Sequence, residues 1–389
     1  MTEMGPGLAR QVQTYMRGLQ GDRSDIPFDI RALEELARDR LSPEAWAYIA
    51  GGAGREATMA ANLEALQRMR VVPRMARDCS SRDLGVNLFG RALPTPFLTA
   101  PIGVLSMAHE EADLAVARAS ATLGVPMIIS NQASHPMEAI AEACGDGPRW
   151  FQLYWGRSDE LVASLVSRAE KCGCEAIVVT LDTTILGWRC RDLDLGHLPF
   201  LRGQGIAQYT SDPVFRSMLT ETPEKNPMAA SVMFTQIYSD PSLSWNKLES
   251  LRRMTRLPIL LKGIQHPDDA EHAVEHRFDG IIVSNHGGRQ VDGAAGSADM
   301  LVQCADRVEG RIPILFDSGV RSGADTFKAL AAGADAVCVG RPWVWGLAVG
   351  GQAGVEAVLA NMIAELDLTM ALAGCDDVRE VREATLMRS

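Results

Sequence analysis

Eight short apolar runs, each followed by a turn and an amphipathic stretch, repeat along the sequence after residue 78. Each run has the length of a buried parallel strand, and each amphipathic stretch has the spacing of a helix of about ten residues. Eight consecutive strand–helix units close a parallel sheet into a (β/α)8 barrel, whereas an open doubly wound sheet needs no particular number. The repeat therefore predicts an α/β fold, a TIM barrel. Its strands are expected at residues 97–101, 127–130, 150–154, 176–182, 259–263, 280–286, 312–319 and 336–341.

The repeat also divides the chain. Residues 1–78 precede it and are expected to form an N-terminal arm and helices that pack on the barrel, which takes residues 79–389. After the fourth run the repeat breaks, and residues 187–256 show little periodicity and two helical stretches at most. An insertion at the C-terminal end of a barrel strand is placed to act as a lid over an active site.

The N-terminal region contains a segment without a clear period, followed by a segment with helical periodicity. Residues 1–25 mix Gly, Pro and charge without a clear period, which predicts a loosely held arm. From Ile30 apolar residues return at helical spacing, and Ser42 before a proline supplies the cap of a second helix. That helix is expected to run through Tyr48 and to stop at Gly51.

The composition argues against several classes of protein. A net charge of -11 and a pI near 5.2 repel a phosphate backbone, so nucleic acid is not an expected partner. The eight cysteines are scattered through a long chain that opens without a secretory segment, so we expect reduced thiols and a cytoplasmic location. No stretch approaches the roughly 20 apolar residues of a spanning helix, so no membrane partner is expected.

The end of the sixth run carries the clearest chemical pattern. Residues 284–289 place His286 at a strand end, two glycines in a tight turn, and Arg289 three residues beyond the histidine. A proton acceptor and an anion clamp can then face one small substrate. The alternative is a histidine satisfied inside a polar loop beside a surface arginine, but the glycines and the strand-end position favour the chemical interpretation.

Two other strand ends predict a second anion site. Residues 317–323 and 340–342 each lead into a helix, and both segments carry glycine and arginine. Such groups converge where barrels commonly hold a phosphate, although turn glycines beside solvated arginines would give a similar pattern. Lys262, at the end of the fifth run, must pair with an anion or lose its charge. A reduced flavin would supply that anion, and a Schiff-base lysine is the alternative.

Two patterns that resemble metal sites are discounted, so no metal is expected. His272 and His276 are the first and last residues of an H-x-x-E-H pattern, which zinc peptidases use. The pattern falls, however, in the outer helix between the fifth and sixth runs. Such a helix normally presents its polar face to solvent. Cys172 and Cys174 are not accompanied by a second pair of cysteines, which a metal site of this kind would need. Chance therefore explains their spacing better than a metal does.

Together the motifs resemble the family of FMN-dependent 2-hydroxy-acid oxidases and dehydrogenases, from about Ile30 to the C-terminus. One motif is weak evidence, whereas a set of motifs in family order is specific. The matching motifs are TAPIG at 99–103, FQLY at 151–154, TLDT at 180–183, LKG at 261–263, SNHGGRQ at 284–290, DSG at 317–319 and GRP at 340–342. Within the family, residues 187–192, 199–203 and 262–270 look most like lactate 2-monooxygenase.

The resemblance implies roles at the matching positions. His286 would be the proton acceptor, Asp182 would orient it and stabilise its charged form, and Tyr154 would meet the substrate hydroxyl. The substrate carboxylate would be held by Arg289, Arg189 and Tyr48. The residues implied to bind FMN are Ala100, Ser130, Gln152, Thr180, Lys262, Asp317, Gly319, Arg321, Gly340 and Arg341.

The implied reaction is the oxidation of a lactate-like L-2-hydroxy acid. Oxygen is the expected acceptor because no haem-binding segment accompanies the barrel in this sequence. Retention of the keto acid would give oxidative decarboxylation, and its release would give 2-keto acid and hydrogen peroxide. His286 would take the hydroxyl proton during hydride transfer, or the α-proton in a carbanion route. The resemblance also implies a homotetramer or a homo-octamer.

Departures from the family pattern leave other substrates open. Asn131 stands where the family commonly has threonine, and Gly103 leaves room beside the expected flavin. A larger 2-hydroxy acid such as mandelate is therefore one alternative. A redox-neutral isomerase on the same FMN barrel is another, although the arginines favour a monocarboxylate substrate. A barrel that binds ligand without turnover is the third.

Overall fold

The computed structural model describes residues 4–388, and its central feature is a closed barrel of eight parallel strands. We number these strands β1 to β8 in chain order. They are Phe97–Thr99, Met127–Ile129, Arg149–Tyr154, Ile177–Thr180, Ile259–Ile264, Gly280–Val283, Ile314–Phe316 and Ala336–Val339. Each strand pairs with the next one along the chain, and β8 closes on β1. The predicted TIM barrel is confirmed.

The barrel interior is apolar at one level and mostly polar at the next, and the levels lie two residues apart because side chains alternate along a strand with a period of two. Eight side chains of the apolar level belong to one buried cluster: Leu98, Ile128, Trp150, Val178, Leu260, Ile282, Leu315 and Cys338. Two residues further along each strand, the corresponding positions are Ala100, Ser130, Gln152, Thr180, Lys262, Ser284, Asp317 and Gly340. We call these eight residues the polar level. It lies toward the C-terminal ends of the strands.

Helices cover the outside of the barrel and complete the repeat. They are Ala112–Leu123, Met137–Cys144, Asp159–Lys171, Pro267–Glu275, Ser297–Val308, Gly323–Ala331 and Arg341–Ala373, followed by the short helix Val378–Arg382. Ser158 and Ser322 cap two of them, because each hydroxyl accepts a hydrogen bond from the amide three residues on. The longest helix is broken at Gly350 and Gly351, where the backbone leaves helical geometry.

From residue 4 onward, four helices precede the barrel, and one of them reaches the site described below. They are Pro6–Leu19, Ile30–Arg40, Pro43–Ala50 and Ala57–Arg68. The expected helix around Tyr48 is present, because the Ser42 hydroxyl accepts from the Ala45 amide at 3.2 Å and the helix ends at Gly51.

The expectation of a loosely held arm over residues 1–25 is wrong for most of that segment, while residues 1–3 lie outside the described residues. Residues of the helix Pro6–Leu19 dock on the last barrel helix. The Gly7 amide donates to Asp367 Oδ2 at 2.9 Å, and Arg10 Nε donates to Asn361 Oδ1 at 2.9 Å. Its apolar side chains recur at the helical spacing of residues 8, 12, 15, 16 and 19, but they are exposed, and glycine and polar groups make its contacts with the barrel.

Two small antiparallel sheets flank the barrel. Met69–Val71 pairs with Leu386–Arg388, which joins the segment before the barrel to the C-terminal end of the described chain. Val86–Leu88 pairs with Arg91–Leu93 in a hairpin. Leucines of this hairpin belong to the same buried cluster as the apolar level, so the hairpin closes the N-terminal mouth of the barrel.

The insertion after β4 is present, but it contains more helix than expected. Residues 187–256, all of which are described, hold seven short helical segments where at most two stretches were expected. They are Cys190–Asp194, Pro199–Arg202, Ala207–Thr210, Pro213–Ser217, Pro227–Ile237, Trp245–Leu248 and Glu249–Arg253. Most are single turns, which are too short for a helical period to show in the sequence.

The middle of the insertion is fixed to the barrel by a buried ion pair. Arg168, on the helix Asp159–Lys171, donates to the Gln208 carbonyl at 2.7 Å and to Asp212 Oδ2 at 3.1 Å. Asp212 is fully buried and also caps the helix Pro213–Ser217. The insertion is therefore anchored on one side of the cavity that it covers.

Several features outside the barrel mouth bear on the expectations about metals and membranes. No helix within residues 4–388 is long and apolar enough to cross a membrane. All eight cysteines are free thiols. The rings of His272 and His276 pack on Trp245, with centroids 5.4 and 5.5 Å from the indole. In the described part of the chain, no cluster of three or more His, Cys, Asp or Glu side chains could hold a metal ion.

Candidate active site

A cavity opens at the C-terminal ends of the barrel strands, next to the polar level, and aromatic, apolar and charged side chains line it together. The predicted residues that line it are Tyr48, Ala100, Ser130, Tyr154, Arg189, Lys262, His286, Arg289, Asp317, Gly319, Arg321, Gly340 and Arg341. Gln152, Thr180 and Asp182 do not line it, but each contacts or pairs with a residue that does.

His286 follows β6 in a backbone turn that few residues tolerate. Its φ is 59°, and Gly287 and Gly288 follow with φ of 64° and 75°. A Cβ on Gly288 would lie 2.7 Å from the backbone nitrogen of Met59, so glycine is required there. Non-glycine residues with positive φ are uncommon and cluster at functional sites. The two glycines thus allow the turn that holds His286 at the cavity.

Asp182 binds the imidazole of His286. Nδ1 of His286 lies 2.8 Å from Asp182 Oδ1, and the Thr183 hydroxyl donates to the same oxygen at 3.0 Å. A carboxylate at Nδ1 keeps the imidazole proton there, which leaves Nε2 as an acceptor. Gly263, at a bulge in β5, makes room for this carboxylate, since a Cβ there would lie 2.8 Å from Asp182 Cβ.

The charges around this pair favour a neutral imidazole beside an ionised carboxylate. Burial lowers the pKa of His286; Asp182 opposes the shift, while Lys262 and Arg189 add to it. Burial alone would raise the pKa of Asp182, but His286 and Lys262 outweigh it and hold that pKa below its ordinary value. The imidazole is therefore able to accept a proton at neutral pH.

Lys262 is a buried ammonium ion within the polar level. Its Nζ donates to the Ser284 hydroxyl at 2.8 Å and lies 3.0 Å from Asp317 Oδ2. Burial works to lower the pKa of Lys262, but Asp317 and Asp182 outweigh it and raise the pKa. A lysine must be neutral to form a Schiff base, so this paired and charged state disfavours that alternative.

Two arginines from different elements meet beside His286. Arg289 donates to the carbonyls of Tyr48 and Gly51 at 2.6 and 2.7 Å, and its guanidinium lies 5.1 Å from the centre of the Tyr48 ring. Arg189 donates to the Arg289 carbonyl at 3.3 Å and to Gln290 Oε1 at 3.1 Å. Burial, and then the charge of Arg189, lower the pKa of Arg289 to about 10. Both guanidinium groups are bonded to uncharged oxygens, so both can receive a carboxylate.

A second pair of arginines, Arg321 and Arg341, lies at the end of the cavity where a phosphate was expected. Arg341 donates to the carbonyls of Ile49, Gly51 and Gly287 at distances of 3.2, 3.0 and 3.0 Å. The Arg321 guanidinium lies 5.2 Å from the centre of the Trp345 ring. Burial lowers the pKa of both arginines, and it does so more strongly for Arg341. A bound phosphate would pair with both guanidinium groups and so stabilise their charged forms.

Three hydroxyl side chains that hold the site together were not among the predicted residues. Ser284 Oγ accepts from Lys262 Nζ and, at 3.0 Å, from the His286 amide. Ser318 Oγ accepts from the Gly287 amide at 3.0 Å, and Thr183 supports the carboxylate as described. Ser284 could have been found from the sequence, because it lies two residues before His286 on a strand with a period of two.

Comparison with models of protein families decides which family this barrel represents. Residues 37–388 match the model of the FMN-dependent dehydrogenases. The chain belongs to this family. FMN is therefore its cofactor, and the resemblance first seen in the motifs is confirmed at the level of the family.

Relatives of this FMN-dependent dehydrogenase include several oxidases. It is 42% identical to an L-lactate oxidase from Lysinibacillus sphaericus (strain C3-41) over 367 residues, which cover 94% of each chain. A 4-hydroxymandelate oxidase from Amycolatopsis orientalis is 41% identical, with 90% of this chain and 95% of the relative covered. A crystal structure of mandelate oxidase with (S)-4-hydroxymandelic acid superposes with a TM-score of 0.83 at 39% identity, covering 92% of this chain and 99% of the other. The narrower likeness to lactate 2-monooxygenase stays a prediction.

The polar level of this FMN-dependent dehydrogenase fits its cofactor. Gln152 Nε2 and Thr180 Oγ1 are buried and have no hydrogen-bond partner among residues 4–388. A buried polar atom without a partner costs about 1–3 kcal/mol, which a ligand with polar ring atoms would remove. Arg321 and Arg341 bring the positive charge that a phosphate requires. The residues present are therefore compatible with FMN, while the role of each one stays a prediction.

Proposed function

We propose that this FMN-dependent dehydrogenase oxidises an L-2-hydroxy acid to the 2-keto acid, with His286 as the proton acceptor. The proposal depends above all on the 2.8 Å contact between His286 Nδ1 and Asp182 Oδ1, beside a cavity that Arg189 and Arg289 also line. A neutral imidazole, an orienting carboxylate and a cationic clamp are the groups that this oxidation needs. The names of the lactate and hydroxymandelate oxidases point to the same class of substrate.

In this proposal the substrate carboxylate binds between Arg189 and Arg289. Tyr48 supports the clamp, because its ring lies against the Arg289 guanidinium and its carbonyl accepts from the same group. Tyr154 meets the substrate hydroxyl. Burial raises the pKa of Tyr154, so its phenol keeps the proton and donates a hydrogen bond. Two charged groups and one neutral donor therefore orient the carbon that is oxidised.

The proton leaves through His286. Its Nε2 accepts the proton from the substrate, and Asp182 stabilises the imidazolium that forms. Bound FMN supplies the two-electron acceptor for the reaction. Lys262 keeps a positive charge on the polar level, which stabilises negative charge gained there.

Molecular oxygen is the final acceptor in this proposal, in keeping with the names of the oxidase relatives. Release of the keto acid gives 2-keto acid and hydrogen peroxide. Retention of the keto acid lets peroxide attack it with loss of carbon dioxide, which is the lactate 2-monooxygenase outcome. The insertion decides between the two, because Phe200 and Tyr238 of this segment line the cavity that the keto acid must leave.

A second candidate is the same oxidation of a larger substrate such as mandelate. Phe200 and Tyr238 face the cavity together with Leu186, so its outer wall is apolar and aromatic. Behind this wall, Phe234 stacks on Tyr238 with ring centroids 5.0 Å apart. An aromatic wall of this kind stabilises an aryl or branched substituent more than the methyl group of lactate.

One experiment separates these outcomes. The purified protein is expected to be yellow, and anaerobic addition of a substrate is expected to bleach the flavin. Lactate, glycolate, mandelate and a longer 2-hydroxy acid are compared by their limiting rates of bleaching. Product analysis in air then distinguishes keto acid and peroxide from a shortened acid and carbon dioxide. A protein that binds no FMN, or that no 2-hydroxy acid reduces, contradicts the proposal.

The role of His286 is tested by His286→Ala. Loss of a positioned base is expected to slow anaerobic bleaching by about 10²- to 10⁴-fold. His272→Ala is the matched control, because that histidine packs on Trp245 outside the cavity. Bleaching of His286→Ala at the wild-type rate would show that another group takes the proton.

Light scattering of the same preparations tests the predicted tetramer or octamer.

A further inference from the structure

Asn131 lies in the loop after β2 and is fully buried. It stands where the family commonly has threonine, and no role for it follows from the family motifs. A fully buried amide needs hydrogen-bond partners, so its contacts show what it holds in place.

Asn131 makes hydrogen bonds to two residues of β3. Its backbone amide donates to Gln152 Oε1 at 2.9 Å, and its side-chain Oδ1 accepts from the Tyr154 amide at 2.8 Å. Gln152 is a residue of the polar level, and Tyr154 lies two residues further along the same strand at the cavity. One residue therefore contacts the group predicted to face the cofactor and the backbone of the group predicted to face the substrate.

The contact with Gln152 also fixes the orientation of its amide. Only the oxygen of the amide can accept from a backbone N–H, so Oε1 must point toward Asn131. Ser130 Oγ lies 3.4 Å from the same oxygen. The Nε2 group is left buried without a partner among the described residues, which makes it the donor available to a ligand.

The opposite side of the Asn131 amide faces the insertion. Asn131 Nδ2 and the Tyr209 hydroxyl are both buried, and neither has a hydrogen bond of good geometry in the described part of the chain. The Asn131 amide is nevertheless close enough to oppose the rise that burial causes in the pKa of Tyr209. The Ala207 amide donates to the Ala133 carbonyl at 3.3 Å, which ties the insertion to the same loop.

We propose that Asn131 is a positioning residue. It holds the Gln152 amide and Tyr154 in fixed positions relative to each other, beneath the insertion. Loss of the Oδ1 contact with the Tyr154 amide shifts the loop backbone whose Asn131 amide holds Gln152, so the cofactor-facing donor and the substrate-facing phenol move together without any contact of Asn131 with the substrate. The inference rests on the proposed function for the role of Tyr154, whereas its effect on Gln152 requires only that FMN binds.

A matched pair of variants tests the inference in the FMN-loaded protein. Asn131→Thr and Asn131→Val have nearly the same shape, and only the threonine keeps a polar acceptor. We expect the limiting rate of anaerobic bleaching to fall between about 10- and 100-fold in Asn131→Val, since small misplacements have effects of this size. Affinity for pyruvate, read from the flavin spectrum, is expected to change less than about threefold. Asn131→Thr is expected to recover most of the rate.

Ser134→Ala is the control on the same loop. Its hydroxyl accepts from the Ser106 amide at 3.0 Å and contacts neither Gln152 nor Tyr154. A purely structural role for the loop predicts the same rate loss in Ser134→Ala and in Asn131→Val, and that result overturns the proposal. Equal rates in Asn131→Val, Asn131→Thr and wild type overturn it as well. If Asn131→Val does not retain FMN, Asn131→Ala removes the acceptor without adding bulk and takes its place.

The absorption spectrum of bound FMN separates this inference from the proposed function. The spectrum needs no substrate, and we expect its visible maxima to shift in Asn131→Val and Asn131→Ala but not in Ser134→Ala. Wild-type protein that no 2-hydroxy acid reduces would contradict the proposed function and leave this shift to be measured. An unchanged spectrum in both Asn131 variants, with normal reduction in wild type, contradicts the inference alone.

Discussion

The ends of the barrel strands and the insertion of residues 187–256 face the same cavity, but they are built differently. At the strand ends, titratable groups are buried in pairs: His286 with Asp182, and Lys262 with Asp317. The insertion contributes Arg189 and aromatic rings to the cavity, and outside the cavity lining its Asp212 forms a buried ion pair with Arg168 of a barrel helix. The difference suggests that the barrel sets the reaction and that the insertion sets which substrate reaches it.

The largest effect is expected from Asp182→Asn at the strand ends. The substitution removes the charge that stabilises the imidazolium of His286, 2.8 Å away. We expect anaerobic bleaching of the flavin to slow by about 10²- to 10⁴-fold with little loss of FMN. Stopped-flow measurement of bleaching checks the rate, and the visible absorbance of the oxidised protein, relative to its protein concentration, checks FMN content.

Thr183→Ala is the matched control for that variant. Its hydroxyl supports the same carboxylate oxygen at 3.0 Å but carries no charge, so the rate is expected to fall much less. A rate for Asp182→Asn within about threefold of wild type would mean that the carboxylate is only structural. That result would weaken the conclusion that the strand ends set the reaction while the insertion sets the substrate.

Lys262→Met tests the second buried pair. Asp317 then keeps a buried charge without its cation, whereas Nζ lies 3.0 Å away in the wild type. Breaking such a pair costs about 3–5 kcal/mol of unfolding free energy. Urea unfolding measures the loss. The double variant Lys262→Met/Asp317→Asn is expected to recover most of it, because a neutral amide needs no cation; failure to recover would show that packing of the lysine stem dominates.

Arg168→Met moves the test to the insertion. Arg168 donates to the Gln208 carbonyl and to Asp212, but Asp212 keeps bonds from the Ser164 hydroxyl and from backbone amides. We therefore expect a smaller loss of unfolding free energy, about 1–3 kcal/mol. Cleavage of the insertion by a protease is expected to speed up, and KM to rise more than the limiting bleaching rate falls. Arg216→Met, at an exposed ion pair of the same segment, is the control.

The same contrast explains what the sequence could predict. The strand ends were predictable because a period of two and an eight-fold repeat fix which residues point inward, and His286, Lys262 and Asp317 lie at such positions. Ser284 lies in the same register and was missed only because a serine carries no chemical signal by itself.

The insertion was predictable as a segment but not as a structure. Its helices are mostly single turns, and its anchor joins Arg168 to Asp212, which lie 44 residues apart in the sequence. No local pattern indicates such a pairing. The helix Pro6–Leu19 was missed although its apolar residues recur at helical spacing; only its docking has no local signal, because hydrogen bonds from Gly7 and Arg10 to a distant helix hold it in place.

The smallest effect expected is a shift of the pH profile, and it separates the two regions most cleanly. Burial, with Lys262 and Arg189, lowers the pKa of His286 against the opposing pull of Asp182. The base works only when neutral, so bleaching at low substrate should lose about tenfold per pH unit below that pKa, with the bend below about pH 6.5. The stability that neutral His286 contributes is likewise present above its unfolded pKa and lost as the pH falls.

Variants at the strand ends should move this bend in opposite directions. Asp182→Asn removes an attraction that raises the pKa of His286, so the bend moves to lower pH. Lys262→Met removes a repulsion that lowers it, so the bend moves to higher pH. Arg168→Met should leave the bend in place, because Arg168 pairs with Asp212 and lies outside the lining of the cavity that holds His286. A wild-type bend above about pH 6.5 would mean that Asp182 outweighs burial, and His286 would then be partly charged at neutral pH.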